Sequence, residues 1–209
     1  MEIYEAIRKR RTIRDFQDKA VEMDTIEHII SAGLKAPSND HMRNWEFVVI
    51  TDKEERIKLI QNIPKLVSQE NVKSQLDNWN MHDEKQRKMY MDAIPKQYSM
   101  LYDSSCLILP FFKQKPPLLQ PERISSLNSF ASIWMCIENI LLAATAEGLF
   151  GVVRIPDGEG ELQHIKETIK HPDNYFMPCY ISLGYPATDA VIIEQNNFSA
   201  KVRMHLGKW

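Results

Sequence analysis

Apolar residues recur along this chain with two different periods, and each period predicts one kind of element. Residues 3–7 carry apolar positions at helical spacing and predict a short first helix. A second helix is predicted from Asp24, which forms a capping box with Glu27, and a third from Asp52, which does so with Glu55. These signals place three helices in the amino-terminal part of the chain.

Four other segments are apolar over short lengths and predict β-strands. They are residues 45–51, 106–112, 149–154 and 179–183. The first segment is nearly continuously apolar, which indicates burial on both of its faces.

Longer helical patterns lie between these strands. Residues 129–147 predict a helix that is apolar around most of its circumference, closed by Gly148, and such a helix belongs in a core or a subunit interface. Residues 66–100 are polar and helical, and residues 161–169 predict one more helix. The mixture predicts an α+β fold with a central mixed or antiparallel sheet flanked by helices.

The composition fits one domain, residues 1–209, within which residues 64–100 form a possible helical lid. The chain is 44% hydrophobic and 26% charged, and its net charge of −2 argues against a nucleic-acid partner. Its three cysteines are widely spaced, which predicts reduced thiols. No segment is expected to act as a secretory signal or to span a membrane. We therefore expect a cytoplasmic protein.

Several kinds of chemistry lack their sequence signals. There is no glycine-rich dinucleotide fingerprint, no Walker loop and no G-x-S-x-G elbow. The six histidines show no metal-ligand spacing, so no metal site is expected. If the protein is an enzyme, a bound cofactor is expected to do the chemistry.

The positive charges are concentrated at two places. Residues 8–14 hold five of them, and Lys201 and Arg203 form a second pair near the other end. Two cationic clusters indicate a shared anion, most simply a phosphate. For Arg8 and Lys9 the alternative is a solvated charged face.

Four segments, in order and at matching spacing, resemble motifs of the nitroreductase family of FMN enzymes. Residues 10–16 resemble its R-R-S-x-R-x-F opening, and residues 36–47 resemble its A-P-S…P-W-x-F segment, with Asn44 in place of the proline. Residues 138–149 are similar to its Q-N-L-L-L-A-A helix and G-L turn. Residues 181–186 match its L-G-Y-P close, and residues 201–203 match its K-x-R.

This resemblance implies FMN bound at a homodimer interface, with a carboxy-terminal arm wrapped around the partner. It implies that the basic groups hold the phosphate, with Arg14 at the pyrimidine edge of the ring, and that residues 37–39 come from the second subunit. Residues 153 and 154 would lie along the ring. The implied FMN residues are Arg10, Arg11, Thr12, Arg14, Pro37, Ser38, Asn39, Val153, Arg154, Lys201 and Arg203.

The resemblance also implies an activity. NADH or NADPH would pass hydride through FMN to a small organic acceptor, such as a nitroaromatic, quinone or enone, in a ping-pong reaction. Residues 151–155 offer no hydroxyl group to the flavin, which favours two-electron chemistry. Trp79, Tyr90 and Tyr98 would bind substrate under a lid, or else pack a helical excursion. The alternatives are reductive dehalogenation, a flavin-binding protein without turnover, or an RNA-binding basic patch.

Overall fold

A computed structural model of the protein describes residues 1–115, 118, 120–121 and 123–209. The strands are β1 (Trp45–Ile50), β2 (Cys106–Lys113), β3 (Phe150–Arg154), β4 (Tyr175–Phe176) and β5 (Tyr180–Gly184). The α-helices are α1 (Ile3–Lys9), α2 (Met23–Gly33), α3 (Lys53–Ile60), α4 (Gln69–Asn78), α5 (Glu84–Ala93), α6 (Ser99–Tyr102), α7 (Asn128–Ala146), α8 (Gly158–Ile169) and α9 (Ala200–Arg203). Two short 3₁₀ turns span Asn39–His41 and Ile124–Leu127.

The strands form one sheet in the order β1-β2-β5-β3, with the short β4 paired to β2. Every pairing between these strands is antiparallel, so the predicted α+β class with a helix-flanked antiparallel sheet is confirmed. The segment before Arg14 extends the sheet beyond β3, because Thr12 forms a parallel bridge with Gly151.

The sheet separates two apolar cores. Residues alternate between the two faces of a strand, and on β2 the side chains of Cys106 and Ile108 join one core while those of Leu107 and Leu109 join the other. The first core is packed by α2 and α7, and the second by α3, α6 and α8.

Helix α7 supplies one side of the first core. Ile133, Ile137 and Ile140 are buried there, whereas Met135 is 43% exposed. The predicted helix and its end are confirmed, with Gly148 in a left-handed conformation at φ 77° directly after it. By length and composition alone, the stretch Ile124–Ala146 could cross a membrane, but a buried core helix passes the same test.

One local prediction is confirmed in part and another was wrong. Strand β1 packs on both cores, with Trp45 buried in the first and Ile50 in the second, but Glu46 is exposed and residues 47–49 are only partly buried. Helix α2 begins at Met23, and its N-cap residue Glu22 makes no side-chain capping bond, so Asp24 does not cap it. The Asp52 cap is confirmed: its carboxylate accepts a hydrogen bond from the Glu55 backbone N–H at 2.9 Å.

Arg56 ties β1 to β2 from the second core. Its side chain is only 1% exposed, and the guanidinium donates to the carbonyl oxygens of Thr51 at 2.6 Å, Tyr102 at 2.8 Å and Ser105 at 3.0 Å. A further bond goes to the Ser104 carbonyl oxygen. One fully buried side chain therefore holds the end of β1 against the loop that starts β2.

Candidate functional site

A cavity of about 340 Å³ lies where the basic segment runs beside β3. The Ile13 backbone N–H donates to the Gly151 carbonyl oxygen at 3.2 Å, which fixes this segment against the strand. The wall opposite is the side of α7 that carries Trp134 and Leu141. The cavity is lined by Arg10, Arg11, Thr12, Arg14, Trp134, Ile137, Glu138, Leu141, Thr145, Gly151, Val152 and Val153.

The three arginines at this cavity differ in their partners. The Arg10 Nε lies 3.3 Å from the Glu138 carboxylate, at a partly exposed position. The Arg11 guanidinium folds back and donates to the backbone carbonyl oxygens of Arg8 and Arg10, at 2.7 Å each. Arg14 is the more buried cation, with its side chain 10% exposed. The cavity is therefore cationic at one end and apolar along β3 and α7.

Gly151 allows the close approach of strands that forms the floor of this cavity. A Cβ atom on Gly151 would lie 2.4 Å from the Ser182 carbonyl oxygen and 2.5 Å from the Leu183 side chain. No other residue fits between β3 and β5 at this point without moving one strand.

Val153 lines the cavity, but its neighbour Arg154 does not. Adjacent strand residues point to opposite faces, and the Arg154 guanidinium lies in the second core, where it pairs with both carboxylate oxygens of Glu161 and donates to Gln97 at 2.9 Å. The place of Arg154 along the ring stays a prediction, while in the structure its side chain lies on the face of β3 away from the cavity. The physical reason is strand parity together with a buried carboxylate partner.

Residues 37–39 do not line the 340 Å³ cavity. Pro37 is exposed, and the backbone N–H of Asn39 donates to the Ser132 hydroxyl at 3.1 Å. Ser38 and Asn39 line a separate cavity of about 100 Å³. This loop is held tightly, since Asp40, His41 and Arg43 all have positive φ values, of 56°, 56° and 43°.

Lys201 and Arg203 also lie outside the cavity of their own chain. Both are exposed on α9, and the Arg203 guanidinium lies 5.0 Å from the centre of the Phe198 ring. The chain on either side of α9 is exposed as well, including Phe198 and Leu206. This basic pair therefore lies on an exposed carboxy-terminal arm, residues 191–209.

The three aromatic candidates of residues 64–100 separate into two kinds. Tyr98 is 9% exposed and stacks on Tyr102 in the second core, so it is a packing residue in this chain. Trp79 is 50% exposed, and its ring meets Tyr90 edge to face at 5.7 Å. None of the three lines the cavity.

The helical excursion nevertheless contacts the cavity-lining Arg14, through a residue that the sequence patterns did not single out. Asp92 on α5 lies 3.5 Å from Arg14 and 2.6 Å from Lys96. The spacing of Asp92 and Lys96 is a helical i,i+4 pair that sequence could have indicated. The contact of Asp92 with Arg14, 78 residues away, has no local signal.

Two negative findings hold for the part of the chain that the structure describes. No group of three or more His, Cys, Asp or Glu residues there could hold a metal ion. The three cysteines are free and buried, and burial raises the pKa of the Cys106 and Cys136 thiols to about 12. Neither thiol is therefore a reactive nucleophile at neutral pH.

The fold and the cavity define a class of protein, an α+β chain with a cleft beside the edge strand β3 that carries arginines at one end. A family model described as Nitroreductase family matches residues 7–185. The chain belongs to the nitroreductase family.

Relatives and a solved structure place the chain near two activities. A protein of Methanothermobacter thermautotrophicus with the provisional name NADH dehydrogenase/NAD(P)H nitroreductase is 28% identical, covering all of this chain and 88% of the relative. Iodotyrosine deiodinase of Nematostella vectensis is 27% identical, covering 91% of this chain and 69% of the relative. A crystal structure of iodotyrosine deiodinase bound to FMN and 3-iodo-L-tyrosine shares the fold, with a TM-score of 0.71 at 17% identity, over 95% of this chain and 97% of that one.

Proposed function

We propose that the cavity binds FMN and that the protein is an NAD(P)H-dependent flavin oxidoreductase. The observation that carries this proposal is the division of the cavity into a cationic end, at residues 10–14, and apolar walls on β3 and α7. Guanidinium groups bind a phosphate through paired, charge-assisted hydrogen bonds. When bound, FMN would accept hydride from NADH or NADPH and deliver it to a small organic acceptor such as a nitroaromatic, quinone or enone.

The residues present fit this cofactor. Arg10, Arg11 and Thr12 lie at the cationic end and would hold the phosphate, while Val153 and Trp134 offer apolar surface to the ring. The cavity of one chain, about 340 Å³, lies near the lower end of the range of roughly 300–1,000 Å³ for ligand sites. A small cavity suits a site that a second chain completes.

We further propose that a homodimer completes the site. Residues 37–39 would contribute to the cavity of the second copy, since in their own chain they lie outside it. The open arm with Lys201 and Arg203 would bring its charges to the phosphate once it packs on the partner. The exposed apolar side chains of Phe198, at 65%, and Leu206, at 89%, support an arm that is covered in the assembly.

Reductive dehalogenation is the second candidate. The similarity to iodotyrosine deiodinase favours it, as does the contact of Asp92 on α5 with the cavity-lining Arg14, which suits a lid. Against it, Val153 presents no hydroxyl group to the cavity.

The first experiment separates these candidates. The purified protein is loaded with FMN, and its visible spectrum is followed under anaerobic conditions while NADH and NADPH are added separately. Bleaching by either nucleotide supports the oxidoreductase and identifies its donor. If neither nucleotide bleaches the flavin, but dithionite-reduced protein releases iodide from 3-iodotyrosine, dehalogenation replaces the main proposal. A protein that takes up no FMN contradicts both.

The phosphate assignment has its own test, the affinity of the apoprotein for FMN. Arg10→Ala removes a cation that lines the cavity, whereas Arg8→Ala removes an exposed cation of the same run that does not. Loss of a charged hydrogen bond costs about 1.5–3 kcal/mol, so we expect FMN to bind roughly 10–100-fold more weakly to Arg10→Ala. Arg8→Ala should bind as the wild type does. Equal dissociation constants for the two variants would contradict the assignment.

A further inference from the structure

Four charged side chains form a cluster behind the cavity. The Arg14 guanidinium lies 3.5 Å from one carboxylate oxygen of Asp92. The Lys96 ammonium lies 2.6 Å from the other oxygen of Asp92 and 2.7 Å from the Asp15 carboxylate. Two positive and two negative groups thus alternate from the cavity into the helical excursion.

This cluster is protected from solvent at its cavity end. The side chains of Arg14 and Asp92 are 10% and 13% exposed, whereas those of Arg10 and Glu138 are 29% and 52% exposed. Partly buried charges are screened much less by salt and water than exposed ones. The pairing of Asp92 with Arg14 is therefore screened less by solvent than the pairing of Glu138 with Arg10.

The pKa values of the two cations in the cluster respond to burial and to their carboxylate partners. Burial lowers the pKa of Arg14, while the carboxylates of Asp92 and Asp15 oppose that effect. For Lys96, burial lowers the pKa, but hydrogen bonds to Asp15 and Asp92 outweigh it and the pKa is raised. The cluster as a whole is neutral, and removing one member leaves a net charge beside the cavity.

We propose that Asp92 is a positioning residue of the flavin site, which holds the Arg14 guanidinium against the cavity and partly cancels its charge. This inference rests on the proposed binding of FMN. Reduction adds negative charge to the flavin, and a cation beside the ring favours it. A carboxylate paired with that cation therefore lowers the midpoint potential of bound FMN, and helix α5 sets this potential from outside the cavity.

The test compares two variants that break the same ion pair but change the charge in opposite directions. Asp92→Asn leaves the cluster with a net positive charge, and we expect the potential of bound FMN to rise. A tenfold preference for the reduced over the oxidised cofactor corresponds to about 30 mV for two electrons, and we expect a shift of that order. Lys96→Gln leaves a net negative charge and should lower the potential. Both are measured by anaerobic titration against a reference dye.

A third variant controls for charge alone. Lys166→Gln removes an equally positive side chain on α8, 44% exposed and outside the cavity lining, and should leave the potential unchanged. Equal potentials in all variants, or shifts of the same sign in Asp92→Asn and Lys96→Gln, would overturn the inference, because a purely structural role has no sign. If Asp92→Asn does not fold, a lowered potential in Lys96→Gln still supports the inference, and an unchanged one overturns it.

The same titration separates this inference from the proposed function. Binding of FMN to the wild-type protein is measured by the quenching of flavin fluorescence. If the wild type binds no FMN, the proposed function is overturned and the inference with it. Wild-type protein that binds FMN while its variants show no shifts of opposite sign leaves the proposed function intact and overturns the role of Asp92 alone.

Discussion

Arg154 and Glu161 form a buried ion pair beneath β3. Both side chains are 8% exposed, and the carboxylate also accepts bonds from the Tyr180 hydroxyl at 2.9 Å and from the Asp157 backbone N–H at 2.8 Å. Burial raises the pKa of Glu161, but the charge of Arg154 and the hydrogen bonds from Arg154, the Asp157 N–H and Tyr180 together outweigh burial and hold the pKa below the ordinary value of 4.5. This pair stabilises the strand that carries Val153 to the cavity.

Glu161→Gln should destabilise the protein, because it leaves the Arg154 charge buried without a counter-charge. We expect the free energy of unfolding, measured with urea, to fall by about 3–5 kcal/mol. A matched change at the surface, Glu159→Gln, where the side chain is exposed, should cost less than about 0.5 kcal/mol. Similar losses in the two variants would mean that the pair contributes no stability.

The same variant tests how the stability of the protein changes with pH. A carboxylate whose pKa is depressed by folding contributes stability above its unfolded pKa, near 4.5, and loses that contribution as the pH falls through the lower folded pKa. The stability of the wild type should therefore decline below about pH 4.5, and that of Glu161→Gln should decline less steeply over the same range. Parallel declines would assign the acid sensitivity to other carboxylates.

For single residues, the sequence could predict only those parts of the site whose members lie close together along the chain. The density of charge in residues 10–14 was enough to indicate an anion site, and four of those residues line the cavity. The resemblance implies that Arg154 lies along the ring, whereas in the structure strand parity and Glu161 turn its side chain to the other face of β3. Asp92 could not be predicted, since only the tertiary structure brings it to Arg14.

Among the elements, β3 depends most on a single position. The missing side chain of Gly151 allows β3 and β5 to pair while Thr12 bridges on the other side. Periodicity predicted four of the five strands in the described part of the chain and the long helix to within a few residues, but not the two-residue β4. It did not predict the edge position of β1, because strand order is a property of the assembled sheet rather than of any one segment.

Gly151→Ala should displace β3. Its Cβ would lie 2.4 Å from a backbone oxygen, which cannot move as a flexible side chain can. Overpacking of this kind costs about 1–3 kcal/mol, and FMN binding should weaken as the floor of the cavity shifts. The control is Gly160→Ala in α8, where a Cβ meets nothing within 4 Å and the stability should hold or rise. Thermal unfolding and FMN titration of both variants test this.

For the whole molecule, the exposed arm is the feature that a single chain leaves unexplained. Beyond residue 190 the side chains are almost all exposed, including Val202 at 75% and Trp209 at 101%. The resemblance implied an arm wrapped around a partner. That assembly stays a prediction, since it concerns a second chain.

Replacing Phe198 and Leu206 together by Ser should weaken the dimer without unfolding the chain, because both side chains lie outside the two cores. Analytical ultracentrifugation should show a dissociation constant at least about tenfold higher, which corresponds to about 1.4 kcal/mol. The circular dichroism spectrum should stay the same. Leu66→Ser, at a position 92% exposed and outside the arm, is the control. An unchanged dimer in the arm variant would remove the arm from the interface.

The long-range bonds of Arg56 affect when the chain can fold during its synthesis on the ribosome. Two of the carbonyl oxygens that its guanidinium binds belong to Tyr102 and Ser105, which lie 46 and 49 positions further along the chain. At a synthesis rate of about 5–20 residues per second, the guanidinium waits roughly 2–10 seconds before its acceptors emerge. During that interval Arg56 on α3 cannot bond to the loop before β2, and β1 has no neighbouring strand to pair with. The early half of the chain is then open to the cell's chaperones.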